Sequence, residues 1–319
     1  MPSIFNLKRL DRQTWRLGGA LLIVYLVWGT TYFALDVAMQ TLPPLLLNGA
    51  RFVVAGLLML GIARWQGQAW PNAAQWRASA LIGALMACVA MGLVMLAQKL
   101  GIGSGLMATV VTTMPMWLAL WTRWGGERVP FTSWIGLALG AGGAVLLALE
   151  GDFSTTLAGT LCAFGAPLAW SLGSYASRRL ALPPPAMASG AQWLLGGLLG
   201  LGVAWLWEPA AHQVAWSQVS LASALAWLYL VVMGTMVTLN TYLWLLKNTS
   251  AALAASYSFV NPLVALCVGV LLGGERLTGW VFLAMPLILL ALALILYGRD
   301  LARFTGGIMR RRAPSTATR

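Results

Sequence analysis

Apolar residues fill the chain in runs of roughly 20 residues, separated by short breaks that carry charges, prolines and tryptophans. An α-helix needs about 20 apolar residues to cross a hydrocarbon core of roughly 30 Å. The runs are continuous and rich in Leu, Ala and Gly, and they lack the alternation that marks the short strands of a membrane β-barrel. The pattern predicts an all-α polytopic membrane protein with ten transmembrane helices, near residues 17–38, 44–64, 77–98, 104–123, 130–149, 157–178, 186–207, 220–246, 250–272 and 278–298.

Composition agrees with this prediction. The chain is 60% hydrophobic and only 9% charged, whereas soluble domains carry roughly 25% charged residues. The net charge of +12 does not favour nucleic acid as a partner, because the Lys and Arg residues stand singly between apolar runs and in the two tails. Membrane lipid is therefore the expected neighbour, and no nucleic acid is expected to bind.

Residue patterns that support catalysis or metal binding are missing from the sequence. Cys88, Cys162 and Cys267 fall in separate predicted spans, and the single histidine, His212, falls in a predicted outer loop. There is no metal-ligand spacing, no nucleophile beside a histidine and no phosphate-binding loop. The sequence predicts that the protein is not an enzyme and uses no cofactor or metal.

Positive charge is distributed unequally between the two sides of the predicted bundle. With the N-terminus inside, the 20 Lys and Arg residues fall on the cytoplasmic side with three exceptions. Lys99 and Arg276 lie on the outer side, and Arg51 lies within the second span. Cytoplasmic loops of membrane proteins carry an excess of Lys and Arg. We therefore expect both termini in the cytoplasm, as an N-terminal tail at 1–16 and a basic C-terminal tail at 299–319.

The two halves of the chain repeat each other. Gly-Gly-Glu-Arg at 125–128 recurs at 273–276, and each copy follows a proline, Pro115 or Pro262. The match predicts a first repeat at 17–152 and a second repeat at 153–298, each with five spans. Because five is an odd number, the second repeat must have the inverted orientation, as in many secondary transporters.

Short motifs in matching order resemble those of a known family. They are Trp28-Gly29-Thr30-Thr31-Tyr32-Phe33, Pro43-Pro44, Arg51-Phe52, Pro115, Trp170, Ser256-Tyr257 and Asn261-Pro262. The chain resembles the EamA-type branch of the drug/metabolite transporter superfamily over nearly its whole length. The resemblance implies ten helices around a central cavity, a bacterial inner-membrane location, and export or exchange of amino acids and other small metabolites.

Candidate substrate-binding residues are the hydroxyl, amide and aromatic side chains inside predicted spans. Aromatic faces can stack on a substrate or bind cations, and hydroxyls give directional hydrogen bonds. The alternative is that the hydroxyls only join helices or bond the preceding carbonyls, and that the tryptophans only pack. The candidates are Trp28, Thr31, Tyr32, Thr112, Thr113, Trp170, Ser174, Tyr175, Asn240, Trp244, Tyr257 and Asn261.

Pro115 and Pro262 are candidate hinges or kinks, because proline removes a backbone donor and bends a helix. A static kink filled by neighbouring helices is the alternative. Arg51 could attract an anionic group of a substrate, or it could form a charge pair with Asp36 and hold two helices in register. Structural pairing or snorkelling is the favoured interpretation for Arg51.

A stripe of small residues, Gly136, Gly140, Ala144 and Ala148, runs along the fifth predicted span. Small residues let helix backbones approach closely. The stripe is expected to pack inside the bundle, with a dimer surface as the alternative. A monomer or a weak homodimer is therefore expected.

The function that best fits these features is secondary transport of a small-molecule substrate. We expect export or exchange of amino acids or related neutral or zwitterionic compounds, by alternating access around a central cavity. A proton-coupled multidrug exporter is the first alternative, and it is disfavoured because no Asp or Glu falls in the middle of a predicted span. A non-transporting membrane receptor is the second alternative.

Overall fold

The computed structural model describes residues 12–101, 107, 110–148, 156–273, 283, 286–291 and 293–295. All regular structure within these ranges is helical, which confirms the all-α prediction. Residues 286–291 and 293–295 are helical as well. The principal helices are α1 (Arg12–Met39), α2 (Pro44–Trp65), α3 (Ala73–Lys99), α4 (Met114–Trp124), α5 (Phe131–Ala148), α6 (Leu157–Arg179), α7 (Pro185–Trp207), α8 (Leu221–Asn248), α9 (Ala251–Ala255) and α10 (Tyr257–Gly273).

Six of these helices, namely α1, α2, α3, α6, α7 and α8, are long and apolar enough to cross a membrane by length and composition. The first predicted repeat ends in residues 149–152, and the tenth span covers 278–298. Both regions lie wholly or partly outside the described residues. The count of ten spans and the inversion of the repeats therefore stay predictions.

Polar caps begin several helices. Asn72 accepts a hydrogen bond from the backbone N–H of Gln75, and the Gln75 side chain bonds the Asn72 backbone in return. Such a reciprocal box satisfies two backbone donors that a helix start leaves free. Ser220 and Ser250 accept from backbone N–H groups in the first turns of α8 and α9. These caps explain why the apolar runs begin as helices at these positions.

Helices α2, α3 and α7 form a tightly packed group that we call the glycine seam, defined by Gly49, Gly56, Gly83, Gly190 and Gly197. A Cβ added at Gly49 would lie 2.7 Å from the backbone nitrogen of Leu201. One added at Gly190 would lie 2.7 Å from the backbone nitrogen of Leu60. The seam packs backbone against backbone, as small residues permit between membrane helices.

Glu208, directly after α7, closes one end of the glycine seam. Its side chain is only 3% exposed and accepts hydrogen bonds from the first turn of α2, at Leu45 N (3.3 Å) and Leu46 N (2.9 Å). Lys99 Nζ lies 3.7 Å from the same carboxylate. A carboxylate at a helix N-terminus satisfies free N–H groups and complements the positive end of the helix dipole.

Two of the long helices contain π-helical segments, at Ala84–Ala90 in α3 and at Leu230–Val237 in α8. A π segment replaces the bonds between residues four apart with bonds between residues five apart, and such segments are frequent at functional sites. Thr235 and Thr238 follow this spacing, because their hydroxyls donate to the carbonyls of Leu230 and Met233 at 2.9 and 2.7 Å.

Both candidate proline hinges lie next to a break in the helices. Thr112 and Thr113 form a turn directly before α4, which has Pro115 in its first turn. Ser256 separates α9 from α10, and Pro262 lies inside α10. Whether either position flexes remains a prediction.

The predicted small-residue stripe on α5 packs inside the chain at its two glycines. A Cβ at Gly136 would lie 2.9 Å from Cγ1 of Ile295, and one at Gly140 would lie 2.5 Å from the ring of Phe259. Both glycines are therefore covered by other helices of the same chain.

Candidate functional site

A cavity lies inside the bundle, between helices of both predicted halves. Its volume is about 80 Å³. Most of its wall is apolar, and the polar groups are concentrated on α1, α2 and α10. Its lining consists of Trp28, Thr31, Tyr32, Leu35, Arg51, Ala90, Met91, Val94, Val111, Met114, Ala166, Pro167, Trp170, Leu239, Tyr257 and Asn261. A mostly apolar cavity with a few convergent polar groups is typical of small-molecule sites.

Four aromatic rings, which we call the ring cluster, lie at one end of the cavity: Trp28, Trp170, Tyr242 and Tyr257. All of them except Tyr242 line the cavity. The Trp28 ring centroid lies 5.6 Å from that of Trp170, 5.2 Å from that of Tyr242 and 4.5 Å from that of Tyr257. These distances and tilted or edge arrangements are those that aromatic pairs prefer. Because the rings come from α1, α6, α8 and α10, the cluster joins four helices at one point.

Hydrogen bonds between helices continue beyond the ring cluster. Tyr25 Oη and Ser256 Oγ are 2.7 Å apart, and Ser174 Oγ and Tyr242 Oη are 2.9 Å apart. Further along α6, Arg178 donates to the carbonyls of Leu246 (2.5 Å) and Thr249 (3.1 Å). These hydrogen bonds join α6 to α8, and α1 to the break before α10, between the ring cluster and Arg178.

The cavity lies on the other side of the ring cluster. Its lining on α1 runs from Trp28 to Leu35, away from Arg16 at the start of that helix, and its lining on α6 runs from Trp170 back to Ala166, away from Arg178. The ring cluster thus separates the cavity from the basic ends of the helices.

A hydrogen bond joins the π segment of α8 to the part of α1 that lines the cavity. Trp28 Nε1 donates to the carbonyl of Gly234 at 3.1 Å, and Thr31 Oγ1 donates to the carbonyl of Trp28 at 2.6 Å. On the neighbouring face, Thr30 Oγ1 and Tyr229 Oη are 2.5 Å apart. The indole of Trp28 therefore has its edge fixed while its ring faces the cluster.

Asn261 connects α10 to α1. With its amide oriented to satisfy its neighbours, the nitrogen donates to the carbonyls of Tyr25 at 3.2 Å and Tyr257 at 3.1 Å. Asn261 is 3% exposed and lines the cavity.

Arg51 is the cation of the cavity wall. It is 3% exposed, its Nε donates to Thr235 Oγ1 at 2.6 Å, and its guanidinium carbon lies 4.9 Å from the centroid of the Phe52 ring. Its Nη1 is buried and has no hydrogen-bond partner. The predicted charge pair with Asp36 does not form in this structure. Asp36 is exposed near the end of α1, while Arg51 points to the π segment of α8.

Half of the candidate substrate-binding residues come together in the cavity: Trp28, Thr31, Tyr32, Trp170, Tyr257 and Asn261. Ser174 lies behind the ring cluster, bonded to Tyr242. Thr112 is buried, and Thr113 Oγ1 donates to the carbonyl of Val110 at 2.7 Å. These three hydroxyls thus line no part of the cavity.

The other three candidates lie toward the basic end of the bundle. Tyr175 packs under Arg179, whose guanidinium carbon lies 5.1 Å from the tyrosine ring centroid. Asn240 and Trp244 line a separate groove between α2, α7 and α8. Asn240 donates to the carbonyl of Met236, one turn earlier, and so satisfies its own helix.

Sequence reasoning missed most of the apolar wall, which includes Leu35, Met91, Val94, Val111, Met114 and Leu239. Nothing distinguishes these side chains from the lipid-facing leucines and valines of the same runs, because every face of a buried membrane helix is apolar. Tyr242 was also left out of the candidate residues, although it lies two residues from both Asn240 and Trp244 in the sequence. It belongs to the ring cluster but does not line the cavity.

Comparison with known proteins gives the same family that the motifs indicate. Residues 17–149 and 157–297 match the EamA-like transporter family. An uncharacterized inner membrane transporter of Escherichia coli (strain K12), YedA, is 34% identical over 290 residues, which cover 91% of this chain and 94% of the relative. A probable amino-acid metabolite efflux pump of Salmonella typhimurium is 27% identical, with 89% of this chain and 97% of the relative covered.

A solved structure shares the fold, with a TM-score of 0.70 at 23% sequence identity; the match covers 87% of this chain and 97% of the other. Together with the apolar helices, these likenesses support a multi-pass protein of the inner membrane. The chain belongs to the EamA-like transporter family.

Proposed function

We propose that this protein is a secondary transporter of small metabolites, and that it exports or exchanges amino acids or related neutral or zwitterionic compounds. The observation that carries the proposal is the central cavity, which is enclosed by helices of both halves and bordered at one end by the ring cluster. The names of relatives, which include probable amino-acid metabolite efflux pumps, support this substrate class.

Alternating access around this cavity is the proposed mechanism. The two matched family segments are the inverted repeats, and they rock against each other with both termini in the cytoplasm. The present arrangement corresponds to a state closed on the cytoplasmic side, because the ring cluster and the contacts of Arg178 close the basic end. Opening that side requires the rings to separate along the interface between α1, α6, α8 and α10.

The composition of the cavity argues against a proton-coupled multidrug exporter. Such carriers need an intramembrane acid to exchange a proton for a cationic drug. Among the described residues that line the cavity, none is Asp or Glu. Asp36, the nearest candidate along α1, is exposed.

The test is uptake into proteoliposomes of a panel of labelled amino acids, organic cations and neutral metabolites, with and without an imposed pH gradient. We expect saturable flux of a zwitterion that does not depend on the pH gradient. The variant Trp170→Ala removes a cavity ring and should reduce this flux at least about tenfold, since aromatic anchors in buried sites carry much of the binding energy.

Trp207→Ala is the matched control, because Trp207 is 76% exposed at the end of α7 and should leave flux unchanged. Flux that requires the pH gradient would favour the proton-coupled alternative. Specific binding without flux of any compound would favour the receptor.

A further inference from the structure

Arg51 is a buried cation that forms no ion pair with any described residue of the bundle. It is 3% exposed, and the only hydrogen bond of its guanidinium in the described structure goes to the neutral hydroxyl of Thr235. An Arg side chain stays protonated in proteins, and a buried charge without a partner is costly. A charge kept at this depth in a membrane protein marks a functional site.

No carboxylate of the described residues pairs with it. Glu127 pairs with Arg179 at 3.1 Å, and Glu208 is occupied by Lys99 and the first turn of α2. Asp36 is exposed and forms no ion pair in the described structure. The charge of Arg51 is therefore not neutralised by the described residues.

The guanidinium of Arg51 is held at one edge only, and Nη1 has no hydrogen-bond partner in the described structure. Nε donates a hydrogen bond to Thr235 Oγ1 at 2.6 Å, and the guanidinium carbon lies 4.9 Å from the centroid of the Phe52 ring. Nη2 lies beside Gly234, where a Cβ would be 3.6 Å away. Nη1 is buried without a partner in a residue that lines the cavity. Guanidinium nitrogens in this state are suited to a carboxylate, which they bind with short charge-assisted hydrogen bonds.

We infer that Arg51 is the anion-recognition residue of the cavity and that the transported compound carries a carboxylate with an apolar remainder. This inference rests on the proposed transport function and narrows its substrate class. The carboxylate binds Nη1 and Nη2, and the apolar part lies against Leu35, Met91 and Val94. The lining offers no acid for an amino group, so the ring cluster receives that group through its π faces.

The test compares amino acids with their carboxamides, which have nearly the same shape and keep the ammonium group but lack the negative charge. Purified protein is titrated with L-alanine, L-leucine, L-methionine and L-phenylalanine, each beside its amide, and binding is measured from the rise in thermal midpoint. A charge-assisted hydrogen bond corresponds to about tenfold or more in affinity. We expect at least one acid to bind at least about tenfold more tightly than its amide.

Variants of the protein test whether Arg51 causes the preference for the acid over its amide. Arg51→Gln should reduce the ratio of acid to amide affinity to near one, and Arg51→Lys should retain part of it because the charge remains without the fork. Arg64→Gln is the matched control, since it removes an exposed arginine of the same helix and should keep the full ratio. Thr235→Val leaves the charge in place but releases Nε, and should reduce the ratio in part.

The inference is overturned if no acid binds, if acid and amide bind equally to the wild-type protein, or if Arg51→Gln keeps the preference. The comparison of ligands on the wild-type protein decides the question even if Arg51→Gln does not fold. Binding that prefers the acid, without flux in proteoliposomes, would uphold this inference and contradict the proposed function. Flux of compounds without an anionic group, unchanged in Arg51→Gln, would uphold the proposed function and contradict this inference.

Discussion

The glycine seam and the cavity wall lie side by side on α2, and they are built in opposite ways. In the seam, Gly49 and Gly190 bring backbones so close that an added Cβ would lie 2.7 Å from a main-chain nitrogen. At the cavity, the neighbours are side chains: Arg51 meets Thr235, and Trp28 meets other rings. Main-chain contacts have no rotamers with which to adjust, whereas side chains do. We therefore interpret the seam as the rigid frame and the cavity as the adjustable part.

The largest effect should come from filling the seam. Gly56→Leu places a side chain against the backbone nitrogen of Leu194. Overpacking typically costs about 1–3 kcal/mol in free energy of unfolding, and we expect the upper end of this range because the obstacle is main chain. We expect loss of monodisperse protein in size-exclusion chromatography. Gly61→Leu is the control on the same helix, since nothing lies within 4 Å of its added Cβ. Equal behaviour of the two variants would contradict the idea of a rigid seam.

The end of the seam should be the next most sensitive point. Glu208→Ala removes the acceptor for Leu45 and Leu46 N–H and the partner of Lys99. A buried donor left unsatisfied costs about 1–3 kcal/mol, so the thermal midpoint should fall clearly. Glu127→Ala breaks an exposed pair with Arg179 and should change the midpoint little. A larger drop for Glu127→Ala would contradict this ranking.

A smaller effect is expected where the cavity is tied to α8. Trp28→Phe keeps an aromatic ring but loses the bond from Nε1 to the Gly234 carbonyl at 3.1 Å. The loss corresponds to about 1 kcal/mol in stability, and the KM for the transported compound should rise because the ring is no longer fixed. Trp207→Phe, at an exposed position, serves as the control. If both the KM and the thermal midpoint stayed unchanged, the hydrogen bond of the Trp28 indole would contribute neither to stability nor to substrate binding.

The smallest effect should come from adding one methyl group directly behind the cavity wall, next to Thr31 and Arg51. At Gly234, an added Cβ would lie 3.2 Å from Thr31 Cγ2 and 3.6 Å from Arg51 Nη2. The crowding is offset by the gain of about 0.5–1 kcal/mol when Ala replaces Gly within a helix. Gly234→Ala should therefore shift the thermal midpoint by very little. A loss as large as that of Gly56→Leu would show that the wall is as unyielding as the seam.

The fold was predictable where the sequence carries local signals. The predicted spans at 186–207 and 220–246 correspond to α7 (Pro185–Trp207) and α8 (Leu221–Asn248), because Pro185 and the Ser220 cap mark where these helices begin. The glycine seam was not predicted, since glycines are frequent throughout the chain and only the packing shows which of them touch a neighbour. The stripe on α5 had the more regular spacing, yet it meets the side chains of Phe259 and Ile295.

The candidate site was predictable in its aromatic half. Trp28 and Trp170 stand at matching places in the two halves and lie 5.6 Å apart. Asp36 was a possible partner for Arg51, beside a substrate anion or snorkelling. A sequence shows which charges are near one another along two helices but not toward which neighbour each side chain turns. The π segment of α8, which presents Thr235 to Arg51, has no sequence signature that separates it from an ordinary apolar helix.

The π segment at Leu230–Val237 has a consequence for how this cavity could diversify. Such a segment holds one more residue in a turn than an α-helix does. Deleting one residue there would restore ordinary α-helical turns and leave Thr238–Asn248 nearly in place, because the wide turn accommodates the extra residue. The same deletion in a regular part of α8 would instead rotate everything after it by about 100°. The gain or loss of a single codon within the segment would thus change the wall locally, around Thr235, while Leu239 keeps its place in the cavity.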